Sequence, residues 1–154
     1  MMSKLNIFLV LVLSVCALGQ KANNTLNAPA IAGTWKNELG STMVIKQKGR
    51  NLVGKYCTAV SRYPLKRPTF DLVGLVGLGT PTSIGWVVTY TSKDKISTST
   101  AAWSGQYRLK AGKQVILTTW TLTAPAKKEN AIWASTNIGQ DNFHRVKPDQ
   151  TCKF

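Results

Sequence analysis

The sequence predicts an all-β protein, an eight-stranded antiparallel up-and-down β-barrel, on three observations. From Gly33 onward the chain keeps producing short runs rich in Thr, Val, Ile, Tyr and Trp, with apolar and polar positions alternating. These runs are punctuated by Gly, Pro, Asn, Lys and Asp, the residues that tight turns require. No stretch holds a helical period. Consecutive hairpins make a meander, and eight strands can close on themselves. Closure removes exposed edges and leaves an interior able to hold one small ligand.

Taken in order, the first element stands outside that barrel. Lys4 precedes an apolar run from Leu5 to Leu13, followed by small residues ending at Ala17, Leu18 and Gly19. This is the pattern of a secretory signal peptide over 1–19, cut after Gly19, and the run is too short to span a bilayer. A lipoprotein box at Leu13–Cys16 is disfavoured by bulky Val15 before the cysteine. Residues 20–31 form an N-terminal extension. It carries the sequon Asn23-Asn24-Thr25, a glycan acceptor if the host is eukaryotic. The barrel is expected over 32–148 and a C-terminal tail over 149–154. Removing the signal leaves Cys57 and Cys152, which can pair with each other, pair between subunits or stay free.

The strands follow. The first, 32–37, ends at the corner Glu38-Leu39-Gly40, and Ser41 opens the second, 41–48. Gly49-Arg50-Asn51 turns into the third, 51–60, and the fourth is 68–77. The fifth, 83–92, and sixth, 96–108, are joined through Ser92-Lys93-Asp94-Lys95. Lys110-Ala111-Gly112-Lys113 leads to the seventh, 113–123, and a polar loop-like stretch from Ala124 to Ala131 precedes the eighth, 139–147.

Composition narrows the chemistry. The 154 residues hold 20 Lys plus Arg, 6 Asp plus Glu and 1 His, a formal charge of +14. So few carboxylates and one imidazole leave little for paired-carboxylate hydrolysis, polynuclear metal sites or triads, so no enzyme, metal or cofactor is expected. His144, lacking partners, reads as a surface residue. The positive charge permits nucleic acid, anionic membrane or acidic glycan as a partner. The Lys and Arg residues are, however, spread through strands and turns without forming a run. That favours a solvated basic surface over a specific nucleic-acid groove.

Alternation then selects what faces the lumen. Tyr56 and Thr58 share one strand face, opposite Lys55, Cys57 and Ala59. Asn37 and Ser41 flank the first corner and can point into the same barrel end. Ser99, Trp103, Trp120 and Asp141 join them from later strands. Hydroxyl, amide and carboxylate groups floored by indoles are how a small polar heterocycle is held in an apolar pocket. The competing reading is a satisfied internal network with no ligand. Trp35 and Trp86 read as core or barrel-end packing.

Gly33-Thr34-Trp35-Lys36-Asn37-Glu38-Leu39-Gly40-Ser41, Gly54-Lys55-Tyr56-Cys57-Thr58-Ala59-Val60, Gly85-Trp86-Val87-Val88, Trp103-Ser104-Gly105-Gln106-Tyr107, Thr119-Trp120-Thr121-Leu122 and Trp133-Ala134-Ser135-Thr136 with Gly139-Gln140-Asp141-Asn142-Phe143 resemble, in order and spacing, the avidin and streptavidin family. The resemblance implies an avidin-like barrel that binds biotin in its lumen without altering it. Asn37, Ser41 and Tyr56 then match donors to the ureido oxygen, Thr58 and Asp141 acceptors for the ureido N–H groups, and Ser99 the contact to the biotin carboxylate. Trp103 and Trp120 match the indole walls, and Ser61 and Tyr90 complete the ligand-binding set. Trp133 matches a lid that enters a neighbouring subunit's pocket in a homotetramer or dimer, whose interface-type positions are Thr119, Ile138 and Gln140. The chain departs from the family at Tyr90, where a Trp is usual, at Ala101, where a Thr is common, and in a short connection after Val60. The resemblance implies a secreted biotin-sequestering protein, as in vitamin-depleting defence. The alternatives are an avidin-fold carrier of another small ligand and a basic surface-binding protein for polyanions.

Overall fold

A computed structural model describes residues 28–60, 68–92, 98–126, 128–148 and Cys152. The segment expected to be a signal peptide, Asn23, Ser61 with the rest of its connection, the turn at Lys93-Asp94-Lys95 and most of the tail lie outside the described residues.

Eight strands form the barrel: β1 Gly33–Lys36, β2 Thr42–Lys48, β3 Asn51–Cys57, β4 Thr69–Val76, β5 Thr82–Thr91, β6 Thr98–Lys110, β7 Lys113–Thr123 and β8 Thr136–Val146. Each pairs antiparallel with the next, and β1 closes on β8 through Thr34↔Val146 and Lys36↔His144. The meander gives the barrel two ends. The end where β1 starts is plugged; the end where β1 meets β2 carries the corner Asn37–Ser41.

Most boundaries fall within one residue of the sequence expectation, and three among the described residues differ by two or more, each for a local reason. β3 stops at Cys57 because the Thr58 hydroxyl folds back, accepting from the Val60 amide at 3.1 Å and donating to the Val60 carbonyl at 3.0 Å. β6 runs to Lys110 because Ala111 and Gly112 take positive φ (48° and 73°), making a two-residue turn that keeps Lys110 paired with Lys113. β8 starts at Thr136, ahead of the expected 139, because β7 is long enough to pair Thr123 with Thr136. The loop after β7 also contains a short 3-10 segment, Glu129–Ser135, kinked at Ala131 and too short to show a helical period.

The core fills the lumen from the plugged end with Ile31, Trp35, Met43, Ile45, Leu52, Val76, Ile84, Ile116 and Phe143, all buried. Each such side chain contributes about 1.5–3 kcal/mol by leaving water. Trp35 is the plug. Its indole N–H donates to the Ile31 carbonyl at 2.9 Å, and Tyr107 meets its ring edge-on. The Arg145 guanidinium lies 4.4 Å from the Trp35 ring centroid. The same group donates to the carbonyls of Ala30 and Ala32 and to the Gln114 side chain. One arginine thus sews the segment preceding β1 to β7 and β8, so the apolar plug is closed by satisfied backbone groups.

Cys57 and Cys152 form a disulfide within one chain, with 5.7 Å between their Cα atoms. Among the alternatives open at the sequence level, the pairing is therefore intramolecular. Cys57 alternates with inward-facing Tyr56 and so points away from the lumen, and the bond ties Cys152 to the outer side of β3 behind the site. The two residues are 95 apart in sequence, and closing a loop of that length is worth about 4–5 kcal/mol in the chain-entropy account. Cys57→Ser with Cys152→Ser is therefore expected to lower the thermal midpoint by 10 °C or more at roughly 2–5 kcal/mol lost; a midpoint unchanged by calorimetry would show that the crosslink is idle.

Candidate functional site

One register row sets the floor of the site. Across β4 to β8 the partners run Gly74↔Trp86, Trp86↔Trp103, Trp103↔Trp120 and Trp120↔Gly139. Residues directly opposite in a sheet face the same side, so three neighbouring strands each send an indole inward, bracketed by glycines. Trp86 and Trp103 stack with centroids 5.6 Å apart and planes 14° from parallel. The glycines are the spatial condition for this row. A Cβ at Gly139 would sit 2.3 Å from the Trp120 ring, and one at Gly74 would sit 2.7 Å from the Trp86 Cβ. Trp86 is thus both core, as expected, and the underlayer of Trp103.

A polar cluster stands over this floor. The corner between β1 and β2 is held by its own bonds: the Asn37 side-chain oxygen accepts from the Ser41 amide at 2.8 Å, and the Asn37 amide donates to the Ser41 carbonyl at 3.0 Å. The Asn37 oxygen being committed, its NH2 group is the end left for partners, and it hydrogen-bonds Asp141. Ser41 Oγ accepts from the Ala59 amide at 3.0 Å and shares a hydrogen bond with the Tyr56 hydroxyl. Tyr56 packs on Trp103 at 5.1 Å.

Asp141 is the centre. It is 3 % exposed, and its Oδ2 accepts from the Trp103 indole N–H at 2.9 Å. Asn37 and Trp120 also donate to it. Its own backbone carbonyl is fixed by the Thr118 hydroxyl at 2.9 Å. Burial pushes its carboxyl above the ordinary range, and Glu38 pushes the same way, against the lowering by the Trp103, Asn37 and Trp120 donors. Burial likewise pushes the Tyr56 hydroxyl up to about 12, opposed by Ser41, so it remains a proton donor throughout the physiological range.

The structure therefore brings together Asn37, Ser41, Tyr56, Trp103, Trp120 and Asp141. Tyr90 lines the same mouth, half-buried, 4.8 Å from Phe70 and 6.4 Å from Tyr56, its hydroxyl pushed up chiefly by burial. Ser99 is half-buried opposite Tyr90 on β6, and Ala101 is buried two residues further in. Thr58 is half-buried at the rim, its hydroxyl engaged with Val60. Ser61 lies outside the described residues. Trp133 does not enter this chain's site: it sits on the 3-10 segment, 84 % exposed, with Ile132 and Ile138 also exposed nearby in sequence. Sequence reading missed Phe70, Glu38, Thr118 and the two glycines. Period two from Leu72 would have found Phe70 and Gly74, and the register of β7 against β8 yields Gly139 once pairing is known.

Comparisons place this arrangement. The model of the avidin family matches residues 26–146. Avidin of Gallus gallus is 29% identical over 152 residues, with 94% of each chain covered. Avidin-related protein 7 of the same organism is 30% identical over 148 residues, again covering 94% of each. Among solved structures, Xenavidin superposes with a TM-score of 0.66 at 28% identity, covering 76% of this chain and 97% of that one. The structure titled AVR2 gives 0.67 at 26%, covering 79% and 99%.

Two outcomes follow from the site's packing and charge. Gly139→Ala should displace the Trp120 indole at about 1–3 kcal/mol, seen as a loss of near-ultraviolet circular dichroism with the β signal retained; an unchanged aromatic spectrum would contradict the row. Because the folded state raises the Asp141 pKa, it disfavours the charged form once pH exceeds the unfolded value. Asp141→Asn should accordingly stabilise the barrel at pH 7, with the gain shrinking as pH falls through the range where Asp141 takes up its proton. Denaturant midpoints across that range would check it, and a gain that grows on acidification would contradict the assignment.

Proposed function

This chain belongs to the avidin family, and from that premise we propose that its lumen binds biotin without chemical change, as a secreted, oligomeric protein that sequesters the vitamin. The observation that carries the reading is the polar cluster of Asn37, Ser41, Tyr56 and Asp141 set over the indole row Trp86, Trp103 and Trp120.

A cyclic urea presents one carbonyl oxygen and two N–H groups on a flat ring. Asn37 Nδ2, the Ser41 hydroxyl and the Tyr56 hydroxyl are three donors able to converge on the oxygen. Donors aimed at one oxygen favour its oxyanion-like form, and the site holds them in place beforehand. The Asp141 carboxylate, which can accept about four hydrogen bonds, and the second lone pair of Thr58 take the N–H groups on the other side. A negative charge beside the N–H groups and donors on the oxygen polarise the urea in the same sense. Trp103 and Trp120 supply the apolar walls, with Tyr90 and Phe70 as the wall nearer the mouth. Ser99 and Ser61 serve the carboxylate end of the ligand. Tyr90 in place of a larger indole removes apolar wall, and Ala101 in place of a hydroxyl removes a hydrogen bond worth about 0.5–1.5 kcal/mol.

Assembly completes the site. The exposed Trp133, with Ile132 and Ile138, is an apolar surface that a second copy would cover. In a tetramer Trp133 enters a neighbour's mouth, and Thr119 and Gln140 lie at the contact, their polarity making the join between dimers weak.

Titration calorimetry with biotin, run beside light scattering, tests the reading. One biotin per chain with quenched Trp fluorescence is expected; absence of heat and quenching from the folded protein would refute it. Tyr56→Phe should weaken binding about three- to tenfold, and Asp141→Ala, removing a charged acceptor, about ten- to a hundredfold, both with intact circular dichroism. Trp133→Ala should accelerate biotin release in the oligomer; an unchanged release rate would place Trp133 outside every site.

A further inference from the structure

The cations that the sequence scatters, the fold collects. At the plugged end, Lys48 and Arg50 flank the β2–β3 turn, Arg108, Lys110 and Lys113 the β6–β7 turn, and Lys147 follows β8, all exposed. They come from three places far apart in sequence, which is why no run betrays them. No carboxylate accompanies them among the described residues. Glu38 is at the opposite corner, Glu129 in the 3-10 segment, Asp141 in the lumen, and Asp71 is paired with Lys55 at 2.5 Å. The register links this field along the outer wall to the corner end: Arg108, buried Val115, His144 and Lys36 are successive partners across β6, β7, β8 and β1, so a cation stands at each end of the row. At about 4.8 Å per strand, this row spans roughly 14 Å. Beside it is a cleft of about 420 Å³ lined by Leu109, Gly112, Lys113, Gln114, His144 and Arg145, where the exposed Lys113 ammonium can meet one anionic group while the Arg145 donors stay on Ala30, Ala32 and Gln114.

We propose that this plugged end is a second binding surface, distinct from the lumen, for a linear sulfated glycan. A polyanionic chain fits cations carried on three separate segments at one end of the barrel with a cleft beside them, because binding rests on many phosphate- or sulfate-like contacts and counterion release. A sulfated glycan fits better than a single-stranded nucleic acid because base stacking needs exposed aromatic faces. The only exposed Trp, Tyr or Phe among the described residues is Trp133, at the other end of the barrel. The surface needs no ligand in the lumen, so it stands or falls independently of the biotin reading.

The test uses the full chain and a heparin-derived octasaccharide at near-physiological salt. Lys110→Gln with Lys113→Gln should weaken binding about tenfold and flatten its salt dependence, while Lys55→Gln with Lys128→Gln, the same change in net charge elsewhere, should leave it within about twofold. Saturating biotin should change neither. Equal weakening by both pairs would show that total charge alone is responsible, and would overturn the proposal. So would loss of octasaccharide binding on adding biotin, or tighter binding to a single-stranded oligonucleotide or to phosphatidylserine vesicles than to the octasaccharide.

Discussion

The open half of this barrel depends on one hydrogen bond, from the Trp103 indole to the Asp141 carboxylate at 2.9 Å. It joins the aromatic floor to the polar cluster, and it crosses the lumen between strands that are not neighbours, β6 and β8. A buried carboxylate is costly unless its lone pairs are met. Here Trp103, Trp120 and Asn37 meet them, and Thr118 fixes the backbone behind. The carboxyl nevertheless sits above its ordinary range, so part of the cost of burial is left in place. A polar ligand bringing further N–H groups would relieve that cost, which gives a physical reason for a charged group deep in an apolar barrel.

The two ends divide the labour. At the plugged end Trp35, Arg145 and the segment before β1 satisfy one another, so the barrel needs nothing in its lumen to close. At the other end the corner Asn37–Ser41 spends its hydrogen bonds on holding its own shape, and the Asn37 NH2, on Asp141, and the Ser41 and Tyr56 hydroxyls, on each other, are held in fixed positions. Donors fixed by the fold lose little freedom when a ligand arrives, and this preorganisation is what turns ordinary hydrogen bonds into affinity. The disulfide behind β3 belongs to the same scheme, since it braces the strand that carries Tyr56 from outside.

Much of this was legible in the residues. Period-two alternation gave the eight strands, and placed Tyr56 inward and Cys57 outward, because a strand's parity is local. What local reading does not contain is register. The row of Trp86, Trp103 and Trp120 with its bracketing glycines, the bond from Trp103 to Asp141 and the role of Phe70 appear only when strands are aligned. The same holds for the cations of the plugged end, which look dispersed along the chain and share one end of the barrel. The 3-10 segment was invisible since seven residues with a kink carry no period. The Cys57–Cys152 pairing was one option among three until the fold brought the two within reach.

The central claim is that a urea carbonyl in the lumen is polarised between the donors Asn37, Ser41 and Tyr56 and the carboxylate of Asp141. Isotope-edited infrared spectroscopy of biotin carrying a 13C label at the ureido carbonyl reads that polarisation directly. The account predicts a carbonyl stretch shifted to lower frequency in the complex than in water; a stretch at or above its position in water, with biotin bound, would contradict it.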